Sequence, residues 1–112
     1  PDPTAYIQVG NTRFREGGLA KASLMSVPGL NAAIDDGILD IQFRVTGFST
    51  VFHDNMGNAV QMASQGGEFT DRMRDQFRRL SRGRRFYITE VHAIGPDGVA
   101  RVLPGAMEVK VR

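Results

Sequence analysis

Residues 39–52 constrain the fold of this chain more than any other stretch, because their polarity alternates residue by residue and then changes phase. Leu39, Ile41, Phe43 and Val45 stand at odd positions, whereas Phe48, Thr50 and Phe52 stand at even ones. Alternation of period two marks a β-strand with one buried face, here read over Leu39 to Val51. A change of phase without an inserted residue would turn polar groups into the core. The inversion falls at Gly47, which predicts a β-bulge or a strand that crosses from one sheet to another.

Thirteen glycines and five prolines break the remainder into short segments, as turns require. Tyr6 to Val9 reads as a strand ended by Gly10-Asn11, and Gly17-Gly18 as a second break. Ala20 to Val27 fits no single state. After Pro28-Gly29, the residues Leu30, Ala32 and Ile34 alternate as a strand that stops at Asp35-Asp36-Gly37. A hairpin loop over His53–Asn58 leads to a strand carrying Val60 and Met62, which ends at Gln65-Gly66-Gly67. Phe86 to Ile94, Val99 to Leu103 and Met107 to Val111 follow, with Gly95-Pro96-Asp97-Gly98 as a turn and Pro104-Gly105 as a break.

One helix is expected around residues 70–82. Thr70 is its N-cap, Asp71 sits at the positive end of its dipole, and Gly83 occupies the C′ position. Met73, Phe77 and Leu80 make one apolar stripe. Six or seven short strands with one helix imply a mainly β domain, an antiparallel Ig-like β-sandwich. Its core is expected to hold Phe43, Val45, Phe48, Phe77, Leu80, Ile88 and Val109.

A length of 112 residues suits a single domain. There is no cysteine and so no disulfide framework, and no apolar run is long enough for a transmembrane helix. The opening Pro1-Asp2-Pro3, with no methionine, reads as a linker remnant over residues 1–5 of a longer precursor.

Charge is unevenly placed. Arg72, Arg74, Arg78, Arg79, Arg82, Arg84 and Arg85 face only Asp75 within residues 72–85, a local +6, so the other 98 residues carry −4. Arginine outnumbers lysine 12 to 2, which favours planar contacts to carboxylates or phosphates. These seven arginines are the candidate partner-binding surface. Three readings apply to it: a solvated helix face, a contact for acidic protein partners, and a nucleic-acid surface. The last lacks an aromatic platform.

Nucleotide-loop, zincin and nucleophile-elbow motifs are absent, and His53 and His92 are the only histidines. No catalytic residue, cofactor or metal is therefore assigned. Ser49, His53 and Asp54 contain triad residue types but lie within one strand and its turn. Asp35, Asp36 and Asp40 lack the spacing of a calcium loop and read as a solvated turn. A small carbohydrate- or calcium-binding sandwich rests on fold analogy alone.

The ordered set Gly17-Gly18, Leu24, Gly29-Leu30-Asn31-Ala32, Phe43-Arg44-Val45 with Phe48, Ser64-Gln65-Gly66 with Phe69, a basic helix and Gly95-Pro96-Asp97-Gly98 resembles the C-terminal domain of the GldM/PorM family over nearly the whole chain. The chain departs from the pattern in Ile38-Leu39-Asp40 and in the density of its arginine helix. The resemblance implies the last domain of a periplasmic homodimer of the gliding-motility and type IX secretion motor, anchored by an upstream inner-membrane helix. Its expected partners are an outer-membrane-associated lipoprotein ring and that ring's own partner, with no nucleic acid. Its implied role is non-enzymatic docking and force transmission.

Overall fold

Residues 40–53 form one continuous strand, and the rest of the chain is arranged along it and one other long strand. A computed structural model describes residues 2–112; Pro1 lies outside them. The strands are β1 (Thr4–Val9), β2 (Thr12–Phe14), β3 (Gly17–Leu19), β4 (Asn31–Asp35), β5 (Asp40–His53), β6 (Ala59–Ser64), β7 (Arg85–Ile94), β8 (Ala100–Val102) and β9 (Met107–Val111). The helices are α1 (Lys21–Ser26) and α2 (Asp71–Arg79). The strand order is β2-β1-β4-β5-β7-β9-β3, with β6 added to β5 and β8 to β7. The molecule is mainly β, a curled and largely antiparallel sheet compatible with a sandwich-like fold.

The two long strands change neighbours halfway along. β5 pairs with β4 over Asp40–Phe43 and with β6 over Phe48–His53. β7 pairs with β9 over Arg85–Ile88 and with β8 over His92–Ile94. Two half-sheets therefore share one β5–β7 spine.

The phase inversion at Gly47 is a bulge, and it has a counterpart. From Val45↔Ala93 to Gly47↔His92, two steps on β5 match one on β7; from there to Ser49↔Thr89, two match three. The extra residue on each strand offsets the other, so the register is the same on both sides. Each bulge shifts its own alternation by one. On β5 the buried set passes from Phe43 and Val45 to Phe48 and Phe52, and on β7 from Ala93 and Val91 to Ile88 and Phe86. A single bulge would leave the partner strand out of phase, whereas the pair keeps one face on the core. Glu90 takes φ 53 at the β7 bulge, a left-handed backbone that costs a non-glycine residue about 1–2 kcal/mol. Its carboxylate accepts from Ser49 Oγ and Gln61 Nε2, both at 3.1 Å, which ties β5, β6 and β7 together at this point.

In the second half-sheet an aromatic cluster fills the core. Phe77 of α2 lies 5.0 Å from Phe86, 5.0 Å from Phe69 and 6.0 Å from Phe52, and Phe52 stacks on Phe86 at 5.1 Å. On the outer face of the first half-sheet, Tyr6 is buried beneath Arg13, whose guanidinium sits 4.6 Å from the ring and pairs with Asp35 and Asp40. The hydrogen bond from Arg13 holds the Asp40 carboxyl below its usual range. Its contribution to stability is therefore present above the unfolded-state value near 3.9 and lost as pH falls through the lower folded value.

Several expectations are corrected. A second helix, α1, occupies the ambiguous segment. It lacks a side-chain cap and an acidic first turn and buries only Leu24, so its stability comes from packing rather than local signals. α2 ends at Arg79 rather than Arg82, because Leu80 turns extended and into the core. Gly83, at φ +89, then donates to the Val111 carbonyl and belongs to a turn held by β9. Among the described residues there are nine strands rather than six or seven. Gly17-Gly18 is not a break but part of β3, which pairs in parallel with β9; an added Cβ at Gly18 would lie 3.0 Å from Arg112 Cδ. Within the expected linker, Thr4 and Ala5 already pair with Ala33 and Ala32. The core residues expected from the sequence are all buried.

Two stability measurements follow. Phe77→Ala removes a fully buried ring at the centre of the cluster and is expected to cost about 3–5 kcal/mol in denaturant melts. Thr50 is fully buried and its Oγ1 has no partner among the described residues. Thr50→Val keeps the β-branch and removes the unsatisfied hydroxyl, so it is expected to raise stability by about 1 kcal/mol.

Candidate protein-docking surface

The arginine segment starts from a well-formed helix terminus. Thr70 Oγ1 accepts from the Met73 N–H at 3.2 Å, and Asp71 occupies the first turn. Met73 and Phe77 face the core, which directs the arginines outward or to the flanks.

The seven arginines do not form one uniform patch. Arg74 donates from Nη2 to the carbonyls of Val27 at 3.1 Å and Pro28 at 3.2 Å, satisfying the C-terminal end of α1. Arg78 pairs with Asp75 at 2.5 Å, and Arg85 with Glu108 at 2.6 Å. Arg84 Nη2 donates to the His53 carbonyl at 3.2 Å. Arg72, Arg79 and Arg82 are exposed and have no hydrogen-bond or ion-pair partner among the described residues. Four of the seven thus have structural contacts, and three stand uncompensated.

One concavity lies at this end of the molecule. Arg79 and Arg84 line a depression of about 340 Å³ beside Gln76, His53 and Phe52. The carboxylate of Asp54, also in its lining, accepts from the N–H groups of Met56 and Asn58 and from Asn58 Nδ2. These bonds, the Asn58 backbone N–H first, hold its pKa below the usual range. Sequence spacing did not reveal this depression, because it brings the end of α2 against the β5–β6 loop across more than twenty residues of chain.

The remaining candidate groups have structural explanations. Ser49 donates to Glu90 and not to His53, whose ring stands perpendicular to that of Tyr87 with centroids 6.3 Å apart. Asp36 accepts from the N–H groups of Leu39 and Ile38, which lower its pKa, while Asp35 and Asp40 pair with Arg13. No group of three or more histidines and carboxylates is placed to hold a metal ion among the described residues.

The middle part of the set that carried the family resemblance also converges. Gly29–Asn31, Phe43–Val45, Ser64–Gly66 and Phe69 line a single groove where β5 passes from β4 to β6. Gly29 bridges to Glu68, and a Cβ there would lie 2.1 Å from the Gly67 carbonyl oxygen. Leu30 N–H donates to that same oxygen at 2.7 Å, and Ser64 Oγ donates to the Glu68 carbonyl at 2.6 Å. These residues close the junction between the half-sheets.

The division among the arginines gives a direct test. Arg74→Ala is expected to cost about 1.5–3 kcal/mol by removing a charged hydrogen bond to two carbonyls, whereas Arg72→Ala is expected to stay within about 0.5 kcal/mol. Thermal or denaturant melts of the two variants check both values.

Comparison with individual curated proteins gives no match. The profile of the family described as GldM C-terminal domain matches residues 1–112. No helix of the described residues is long and apolar enough to cross a membrane, whereas the family's proteins are membrane-anchored periplasmic components of the type IX secretion system. The whole chain falls within the match, and its mainly β fold agrees with the resemblance carried by the glycine and aromatic positions, so the chain belongs to the GldM C-terminal domain family, a component of the gliding-motility and type IX secretion machinery.

Proposed function

We propose that this domain is a non-enzymatic docking and force-transmitting element that links an inner-membrane motor to an outer-membrane-associated ring. It acts in the periplasm, as the last domain of a homodimeric parent anchored through an upstream helix. The observation that carries the reading is the division of the arginines: Arg74, Arg78, Arg84 and Arg85 have hydrogen-bond or ion-pair partners, and Arg72, Arg79 and Arg82 have none among the described residues. Uncompensated exposed cations beside a rigidly packed helix suit an acidic protein surface, where charge sets the encounter rate. A spine running through both half-sheets gives load a path from that end to the other. Family membership lends the nucleic-acid alternative no support.

The test is made in cells that carry the full-length parent protein. Arg72→Glu with Arg82→Glu is expected to reduce gliding and type IX secretion and to slow assembly with the outer-membrane-associated partner. The melting temperature of the 112-residue chain should stay nearly unchanged, since neither side chain has a hydrogen-bond or ion-pair partner among the described residues. Unaltered secretion and assembly would return the surface to a solvated helix face. Submicromolar, salt-sensitive DNA binding at physiological ionic strength would overturn the reading in favour of nucleic acid.

A further inference from the structure

The docking role proposed above leaves open where charge recognition becomes stereochemical, and the answer here rests on that role. We propose that the depression between the end of α2 and the β5–β6 loop is a receptor for one carboxylate side chain, glutamate or aspartate, from an acidic segment of a protein partner.

Of the three uncompensated arginines, only Arg79 lines this concavity. Arg84 lines it as well, and its guanidinium is anchored by the 3.2 Å bond from Nη2 to the His53 carbonyl. An anchored guanidinium has already lost much of the freedom that an exposed arginine would lose on binding. Its Nε and Nη1 have no partner among the described residues.

Asp54 does not neutralise the pair. Its oxygens already accept three N–H groups, and no ion pair joins it to either arginine. The end of α2 is compensated too, because Lys21 Nζ donates to the Arg78 carbonyl at 2.6 Å. Phe52, Val60 and Leu80 supply an apolar wall that strengthens a charged hydrogen bond by excluding water. The Gln76 side chain adds a neutral donor type to the same lining. Two arginines with one committed acid leave room and charge for a single added carboxylate, whose planar oxygens match an arginine fork.

The test follows the Nε–Hε signals of Arg79 and Arg84 by NMR in the 112-residue chain. The probes are N-acetyl tetraglutamate amide, its tetraglutamine counterpart and inorganic phosphate. Tetraglutamate is expected to give saturable shifts at both arginines, and tetraglutamine none. Arg79→Gln should weaken tetraglutamate binding by about tenfold, the value of one charged hydrogen bond, whereas Arg82→Gln should change it by less than about twofold. Equal weakening by the two variants would overturn the pocket and leave the diffuse docking surface standing. Phosphate binding more tightly than the peptide at the same two arginines would overturn the carboxylate assignment. Failure of the docking role itself shows separately, as unaltered secretion in the Arg72→Glu, Arg82→Glu cells.

Discussion

The structure depends on a pair of offsetting insertions in its two central strands. With regular alternation throughout, β5 would turn either Phe43 and Val45 or Phe48 and Phe52 away from the core. The extra residue near Gly47 corrects β5, and the one at Glu90 makes the same correction on β7. Because both strands invert together, β4, β6, β8 and β9 can each pair with half of a long strand and still face one interior. Three side chains hold the arrangement in place: Glu90, Ser49 and Gln61 join three strands at the point where the backbone is strained.

That constraint also accounts for several of the residues that carry the family resemblance. Gly29 and Gly67 stand where the two half-sheets approach closely, a Cβ at Gly29 meeting the Gly67 carbonyl oxygen and one at Gly67 the Leu30 carbonyl oxygen, and Phe43, Ser64 and Phe69 line the same groove. Their order along the chain reflects the construction of a junction. Arg72, Arg79 and Arg82, by contrast, have no part in holding the fold, which leaves this surface free to vary with the partner. The junction thus belongs to the fold, and function is argued from the surface.

Much of the fold was legible in the sequence because its signals are local. The alternation in β5, the Thr70 cap, the Met73–Phe77–Leu80 stripe and the Gly95–Gly98 turn each follow from neighbouring residues. The second bulge was equally legible: Phe86 and Ile88 stand at even positions while Val91 and Ala93 stand at odd ones. The inversion lies inside one continuous strand, Arg85–Ile94, with no glycine to mark it. α1 was not legible, because its helical state rests on contacts such as Arg74 with the Val27 carbonyl, 47 residues apart. The contacts of Arg74, Arg84 and Arg85 were hidden for the same reason, since charge runs identify cations but not the distant carbonyls and carboxylates that engage them. The parallel β3–β9 pairing joins opposite ends of the chain, beyond the reach of any periodicity.

If the spine makes the half-sheets one unit, they must open together. Native-state hydrogen exchange on β5 and β7 measures this directly, residue by residue on both sides of the paired bulges. The account predicts that the slowest amides near Val45 and Ala93 share one opening free energy with those near Thr50 and Ile88, equal to the global unfolding value. Two separate plateaus, differing by more than about 2 kcal/mol across Gly47 and Glu90, would show two units joined at a hinge and would contradict it.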